Sequence, residues 1–133
     1  MIDIIIPVYK AKNTLLNLLM DIANQNNIND FKVYLIIDDD GEDYSSEVEF
    51  AKKHYQIEIY YLKNNVGAGL ARQYGIDKSN NPYIIFIDAD DLFFSSDSIK
   101  ILYDSISDDY DYVQSVVYNE FTNNYFCNEG DLH

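Results

Sequence analysis

The sequence predicts an α/β fold, a three-layer α/β/α sandwich with a mostly parallel sheet. Three observations predict it. Apolar runs of strand length recur at residues 2–8, 31–37, 57–62 and 83–87, and near-continuous apolar runs suit strands buried on both faces. Segments with helical spacing separate them at residues 13–24, 44–54 and 66–78, so strand and helix alternate as a layered α/β sheet requires. The connections are short and rich in Asn, Asp, Gly and Pro, consistent with simple crossovers between neighbouring parallel strands.

Taken in order, the first strand, residues 2–8, is a short apolar run interrupted by Pro7. Leu15, Leu16, Leu18, Leu19, Ile22 and Ala23 form a helical stripe, with Asn13 or Thr14 as its cap. QNNIND is a loop, and the second strand ends in Asp38-Asp39-Asp40-Gly41. Ser45 or Ser46 opens the next helix, and a strand at 57–62 follows. Asn64-Asn65 turns the chain into the helix at 66–78, and Asn80-Asn81-Pro82 turns it into the strand at 83–87. Ser96 or Asp97 caps a helix reaching about residue 106; a fifth strand is expected at 112–118 and a short sixth at 124–127.

A chain of 133 residues with 47% hydrophobic content predicts one domain with a packed core. The closing CNEGDLH has no stop-like character and reads as a chain cut in mid-domain. The formal net charge of −14 argues against a basic face for bare nucleic acid or an anionic membrane. It leaves room for an anionic nucleotide that arrives with its own cation. Cys127 is the single cysteine, so no intramolecular disulfide forms, and a cytoplasmic setting is expected. No apolar run approaches the roughly 20 residues of a membrane helix. His54 reads as a helix-end residue and Cys127 as a small apolar filler.

Chemistry concentrates at the ends of strands. YIIFIDADD runs an apolar strand straight into Asp88, Asp90 and Asp91. A sheet end does not tolerate that charge without a neutralising partner. Asp88 and Asp90 are two residues apart and share a side while the chain is extended; a divalent cation carrying phosphate would remove their repulsion. The plain alternative is a solvated acidic turn. Asp38, Asp39 and Asp40 follow the apolar VYLII, and a carboxylate there can accept hydrogen bonds from a base or a ribose; alternatively they form a polar turn in which Gly41 supplies the unusual φ. In NVGAGLARQYG, small residues open a helix whose N-terminus can approach a phosphate, although the glycine spacing is wrong for a dinucleotide fingerprint. Arg72 can reach a phosphate or carboxylate, or simply pair with one of the chain's 23 acids. Pro7-Val8-Tyr9 brings an aromatic face to the end of the first strand, which is also what an ordinary anchoring residue would do.

Together these segments resemble the N-terminal, nucleotide-binding half of family 2 glycosyltransferases with the GT-A fold. The matching pieces, in order, are IIIPVYKAKNTL, LIIDDDGEDYS, NVGAGLARQYG and IIFIDADDLF. The resemblance runs from Met1 to about Tyr118 and implies a Rossmann-like sheet that binds a nucleotide-sugar donor, commonly UDP-linked. It implies that Pro7, Val8 and Tyr9 line the base pocket, that Asp39 hydrogen-bonds the base, and that Arg72 lies near the base and the acidic loop. It further implies that Asp88, beside Ala89, meets the ribose, and that Asp90, with Asp88, holds Mn²⁺ or Mg²⁺ on the diphosphate. Inversion by direct displacement is the implied reaction, with a general base expected beyond His133; little transfer is then expected from this chain alone. The acceptor is open, a saccharide or a lipid-linked glycan being the classes in view, and attachment to the inner membrane face is compatible with either. The sequence departs from the family pattern at Glu42, where Ser or Thr is common, and at Gln73, where Asn is usual. Asp38 is an extra acid, and Asp39 takes the base role by its offset to Gly41.

Two further readings compete. A nucleotide-binding module without catalysis would carry the same motifs. A receiver-type phosphotransfer domain also groups aspartates at strand ends, but it expects its acidic pair after the first strand, where this chain has Pro-Val-Tyr. Self-association is open, and a homodimer through the Tyr-rich last strand is the arrangement to look for.

Overall fold

The computed structural model describes residues 2–105, 117–119 and 124–126. Within them the chain runs β1 (Ile2–Val8), α1 (Leu15–Ala23), β2 (Phe31–Asp38), α2 (Ser45–His54), β3 (Ile57–Leu62), α3 (Ala68–Lys78), β4 (Tyr83–Phe86), α4 (Ser98–Ser105), β5 (Val117–Asn119) and β6 (Asn124–Phe126). The main sheet has the order β3-β2-β1-β4, and every neighbouring pair is parallel. This is the α/β architecture that the alternation of strand and helix predicts. The expected fifth and sixth strands are met in part: Val117–Asn119 pairs antiparallel with Asn124–Phe126 in a separate two-stranded sheet, while residues 112–116 and Cys127 lie outside the described residues. No helix among the described residues is long and apolar enough to cross a membrane.

Strand alternation sorts the core onto two faces. Ile2, Ile4, Ile6 and Val8 of β1 and Val33, Leu35 and Ile37 of β2 pack with Leu15, Leu18, Leu19 and Ile22 of α1, Val48 and Ala51 of α2, and Ile99 of α4. The opposite face is smaller: Ile5, Tyr34 and Ile36 pack with Ala71, and Tyr60, Leu62, Tyr74 and Ile84 close in around them. Among the described residues α3 therefore covers its face alone, over the middle of the sheet. One expectation is corrected here. The strand at 83–87 was expected to be buried, but β4 ends at Phe86, is only half-buried, and leaves Phe86 45% exposed. The reason is its position: among the described residues it is the edge strand of the sheet, and on the α3 face Ile84 packs against the cluster around Ala71 whereas Phe86, further along the strand, is exposed.

α3 seats closely on β1 because the residues it buries against the sheet carry almost no side chain. Ala71 and Gly75 are its buried residues. A Cβ built on Gly75 would stand 2.5 Å from Cγ2 of Ile5, and Ile5 is fully buried and branched, so it has no room to yield. Gly75→Ala is expected to destabilise the fold by about 1–3 kcal/mol through overpacking. Urea unfolding would show this as a lowered midpoint, whereas an unchanged midpoint would mean that α3 slides on the sheet.

Two polar clasps hold the ends of β4. At the end of the sheet where β1 starts, fully buried Asp3 accepts hydrogen bonds from the Asn80 and Asn81 amides, both at 3.1 Å, and from Asn81 Nδ2 at 2.7 Å. Beyond the acidic turn, α1 and the loop after it hold the chain. Asp21 Oδ2 accepts from the Phe93 amide at 2.8 Å, Gln25 bridges the Ser95 carbonyl and the Ile99 amide, and the Asn26 amide donates to the Ser96 carbonyl at 2.6 Å. The residues that follow Asp91 are thus anchored from below, and the turn itself is left to face the sheet's carboxyl edge.

Candidate functional site

Parallel strands end together, so β1, β2 and β4 deliver their last residues to one edge, the position where open α/β sheets bind ligands. A cavity of about 260 Å³ lies there. Its walls are the stretch from Pro7 to Ala11 after β1, Asp38 at the end of β2, Gly67, Ala68, Ala71 and Arg72 at the start of α3, and Asp88, Ala89 and Asp90 after β4. Pro7, Val8, Tyr9, Arg72, Asp88, Ala89 and Asp90, singled out from the sequence, are thereby brought together. Asp39 is not among them. It is exposed and lines a second cavity of about 160 Å³ at the same sheet edge, with Asp40, Glu42, Tyr61 and Lys63.

The three aspartates at the end of β2 have three different surroundings. Asp38 is the last residue of β2 and continues the side of Tyr34 and Ile36, toward α3. It is 2% exposed, and its two oxygens accept the amides of Val66 and Gly67, each at 3.0 Å. This clasp explains why α3 begins at Ala68 and not at residue 66 as periodicity suggests: Val66 and Gly67 turn their amides to Asp38, and Gly67 takes φ +90°, a region that suits glycine. Period-two counting from Tyr34 could have identified Asp38 as the inward-facing acid. Asp39 makes only a local turn, with Oδ1 accepting the Gly41 amide at 3.1 Å. Asp40 ties two loops together: Oδ2 accepts the Lys10 amide at 2.6 Å and the Tyr44 hydroxyl at 2.5 Å, and Oδ1 accepts the Glu42 amide at 2.8 Å. Partial burial works against the Asp40 carboxylate, but these hydrogen bonds outweigh it and hold its carboxyl below the ordinary value. The same burial and the Asp40 contact push the Tyr44 hydroxyl up to about 12, so it stays protonated and keeps donating.

Tyr9 and Lys10 are set by this scaffold. Lys10 adopts φ +52°, held by the Asp40 bond to its amide, and its Nζ stands 5.3 Å from the centroid of the Tyr9 ring. Asn65, also at positive φ, donates from Nδ2 to the Tyr9 hydroxyl at 3.1 Å. The ring is thereby oriented from its polar end, with a face left for a flat apolar group.

Across the cavity, Arg72 Nη2 donates to Asp88 Oδ1 at 2.7 Å. The Asp91 amide donates to the Asp88 carbonyl at 3.0 Å, closing a turn in which carboxylate oxygens of Asp88, Asp90 and Asp91 all lie within 4.8 Å of one another. The sequence places Asp91 in the acidic run but assigns it no ligand role; the turn brings its carboxylate to the other two. Its carboxyl is held above the ordinary value by partial burial and then by the charges of Asp90 and Asp88. A cluster of hard oxygen donors under mutual repulsion is a chemical match for Mg²⁺ or Mn²⁺. His54 closes α2, with Nδ1 2.8 Å from the Phe50 carbonyl, and does not line the cavity.

The chain is similar to known proteins in sequence and in fold. A Rickettsia bellii protein described as an uncharacterized glycosyltransferase is 34% identical over 139 residues, covering 94% of this chain and 20% of that protein. S. aureus TarS 1-349, solved in complex with UDP, superposes with a TM-score of 0.72 at 21% identity, over 77% of this chain and 31% of that one. The mannosyltransferase PcManGT from Pyrobaculum calidifontis, solved with GDP-Man and Mn²⁺, gives a TM-score of 0.65 at 18% identity, over 78% and 32% respectively. The chain thus spans about a fifth of the length of the Rickettsia relative, and at these identities the two structures speak to the fold. The family profile "Glycosyl transferase family 2" matches residues 3–132, and with the sheet and its acidic edge in view, the chain belongs to glycosyltransferase family 2.

Proposed function

We propose that this chain forms the donor side of a sugar transferase that uses a nucleoside-diphosphate sugar, UDP-linked in preference, together with Mn²⁺ or Mg²⁺. The observation that carries this reading is the convergence of an oriented aromatic, Tyr9, a cation, Arg72, and an acidic turn, Asp88–Asp91, on one cavity. TarS, solved with UDP, and PcManGT, solved with GDP-Man and Mn²⁺, support the ligand class. Pro7, Val8 and Tyr9 would flank the base. Among the three aspartates at the end of β2, Asp38 and Asp40 are engaged with backbone amides of other residues, whereas Asp39 uses one oxygen in a local turn; Asp39 is therefore the carboxylate available to a base N–H. Asp90 and Asp88 would hold the cation, with Asp91 in reach. A cation bound there would supply Lewis-acid stabilisation of the charge on the departing nucleoside diphosphate.

Displacement with inversion at the anomeric carbon needs a base on the acceptor side. The carboxylates that line the cavity are Asp38, Asp88 and Asp90: Asp38 is engaged with amides, Asp88 with Arg72, and Asp90 belongs to the cation. The acceptor base in this reading comes from outside the lining of this cavity. Calorimetric titration of UDP into the chain, with and without Mn²⁺ and with GDP for comparison, tests the proposal. UDP binding that requires Mn²⁺ and exceeds GDP binding is expected; absence of nucleotide binding under both conditions would overturn it.

A further inference from the structure

Asp88 is engaged twice in this site. Its Oδ1 accepts Arg72 Nη2 at 2.7 Å, and its carboxylate is one of the three that crowd within 4.8 Å at the acidic turn. Arg72 is not a chance surface partner. Its helix is seated on β1 by the Gly75 contact with Ile5, Ala71 beside it is buried, and the helix start is clasped by Asp38. The guanidinium is delivered to Asp88 by a rigid element.

We propose that Arg72 is a built-in counter-cation for the acidic turn, yielding Asp88 to a divalent cation when a diphosphate offers the guanidinium a better partner. The inference rests on the donor-site reading above. Its physical basis is charge. A guanidinium at Asp88 offsets part of the triad's repulsion, opposes a second cation a few ångströms away, and occupies a ligand oxygen. A diphosphate presents paired anionic oxygens that the planar guanidinium fork engages bidentately, so its arrival frees Asp88 as it brings negative charge for the metal. Nucleotide and cation then bind with positive coupling, and linkage requires each to raise the other's affinity by the same factor.

The test uses the full chain, titrated with Mn²⁺ alone, read by electron paramagnetic resonance of the free ion, and again with saturating UDP. In the unsubstituted chain UDP should tighten Mn²⁺ binding by about tenfold or more, within the roughly 5–150-fold range typical of coupled sites. Arg72→Gln should bind bare Mn²⁺ about tenfold tighter than the unsubstituted chain and lose most of the coupling to UDP. Arg72→Lys, which keeps the charge but not the fork, should leave bare Mn²⁺ binding weak and reduce the coupling; it also serves should the Gln variant fail to fold. Bare Mn²⁺ affinity unchanged in Arg72→Gln, or full coupling in Arg72→Lys, would overturn the inference while leaving the metal site standing. Asp90→Ala separates the two: Mn²⁺ binding that survives it removes the donor-site reading and this inference together.

Discussion

Asp90→Ala is expected to lower Mn²⁺-dependent UDP affinity by about 100-fold or more, beyond what loss of a group supporting a metal ligand typically costs, while the chain stays folded. Both halves of that expectation come from the position of Asp90. It is exposed on a turn and lines the cavity. The neighbouring amide of Asp91 bonds to the Asp88 carbonyl and not to the Asp90 side chain. Surface substitutions of that kind usually change stability by no more than about 0.5 kcal/mol. Removing one of three crowded carboxylates even relieves repulsion in the metal-free state, so a thermal melt should show no loss. Calorimetry at fixed Mn²⁺ reads the affinity. UDP binding that remains both tight and Mn²⁺-dependent would move the cation away from this turn.

The largest stability effect at the site is expected from Asp38. It is buried and accepts two amides at 3.0 Å. Each hydrogen bond to a charged group contributes about 1.5–3 kcal/mol, so Asp38→Ala should destabilise by about 3 kcal/mol or more. Asp38→Asn retains one acceptor oxygen and should cost roughly half as much. The change should reach function as well, because the segment that Asp38 holds carries Asn65, which orients Tyr9, and leads into the helix that delivers Arg72. Urea unfolding and UDP titration should therefore fall together along the series from Asp to Asn to Ala. Stability within about 0.5 kcal/mol of the unsubstituted chain would show that the β3–α3 loop is held by other contacts.

Much of the architecture was legible because its determinants are local. Apolar runs at β1 and β2, the Leu/Ile stripe of α1 and the Asn-rich turns each report on their own segment, and those elements form within a few residues of where periodicity puts them. The acidic turn was legible for the same reason: Asp88, Asp90 and Asp91 are close in space because they are close in the chain. Asp39 was harder. Three consecutive aspartates look equivalent in one dimension, and the offset to Gly41 selects the middle one. The pleat of β2 separates them instead, turning Asp38 inward to α3, leaving Asp39 in solvent, and giving Asp40 to Lys10 and Tyr44.

By itself the sequence determined the strand–helix alternation, the parallel sheet it implies, and the four motifs that carry the family resemblance. These follow from periodicity and turn chemistry, which act over a few residues. Tertiary structure alone decided the strand order β3-β2-β1-β4, the partly open α3 face of β4, the clasp from Asp38 to Val66 and Gly67, and the pairing of Arg72 with Asp88. Those features join residues that are far apart in the chain or belong to different elements. They arise only when parallel strands bring their ends to one edge and a helix that buries only Ala71 and Gly75 lies close against the sheet.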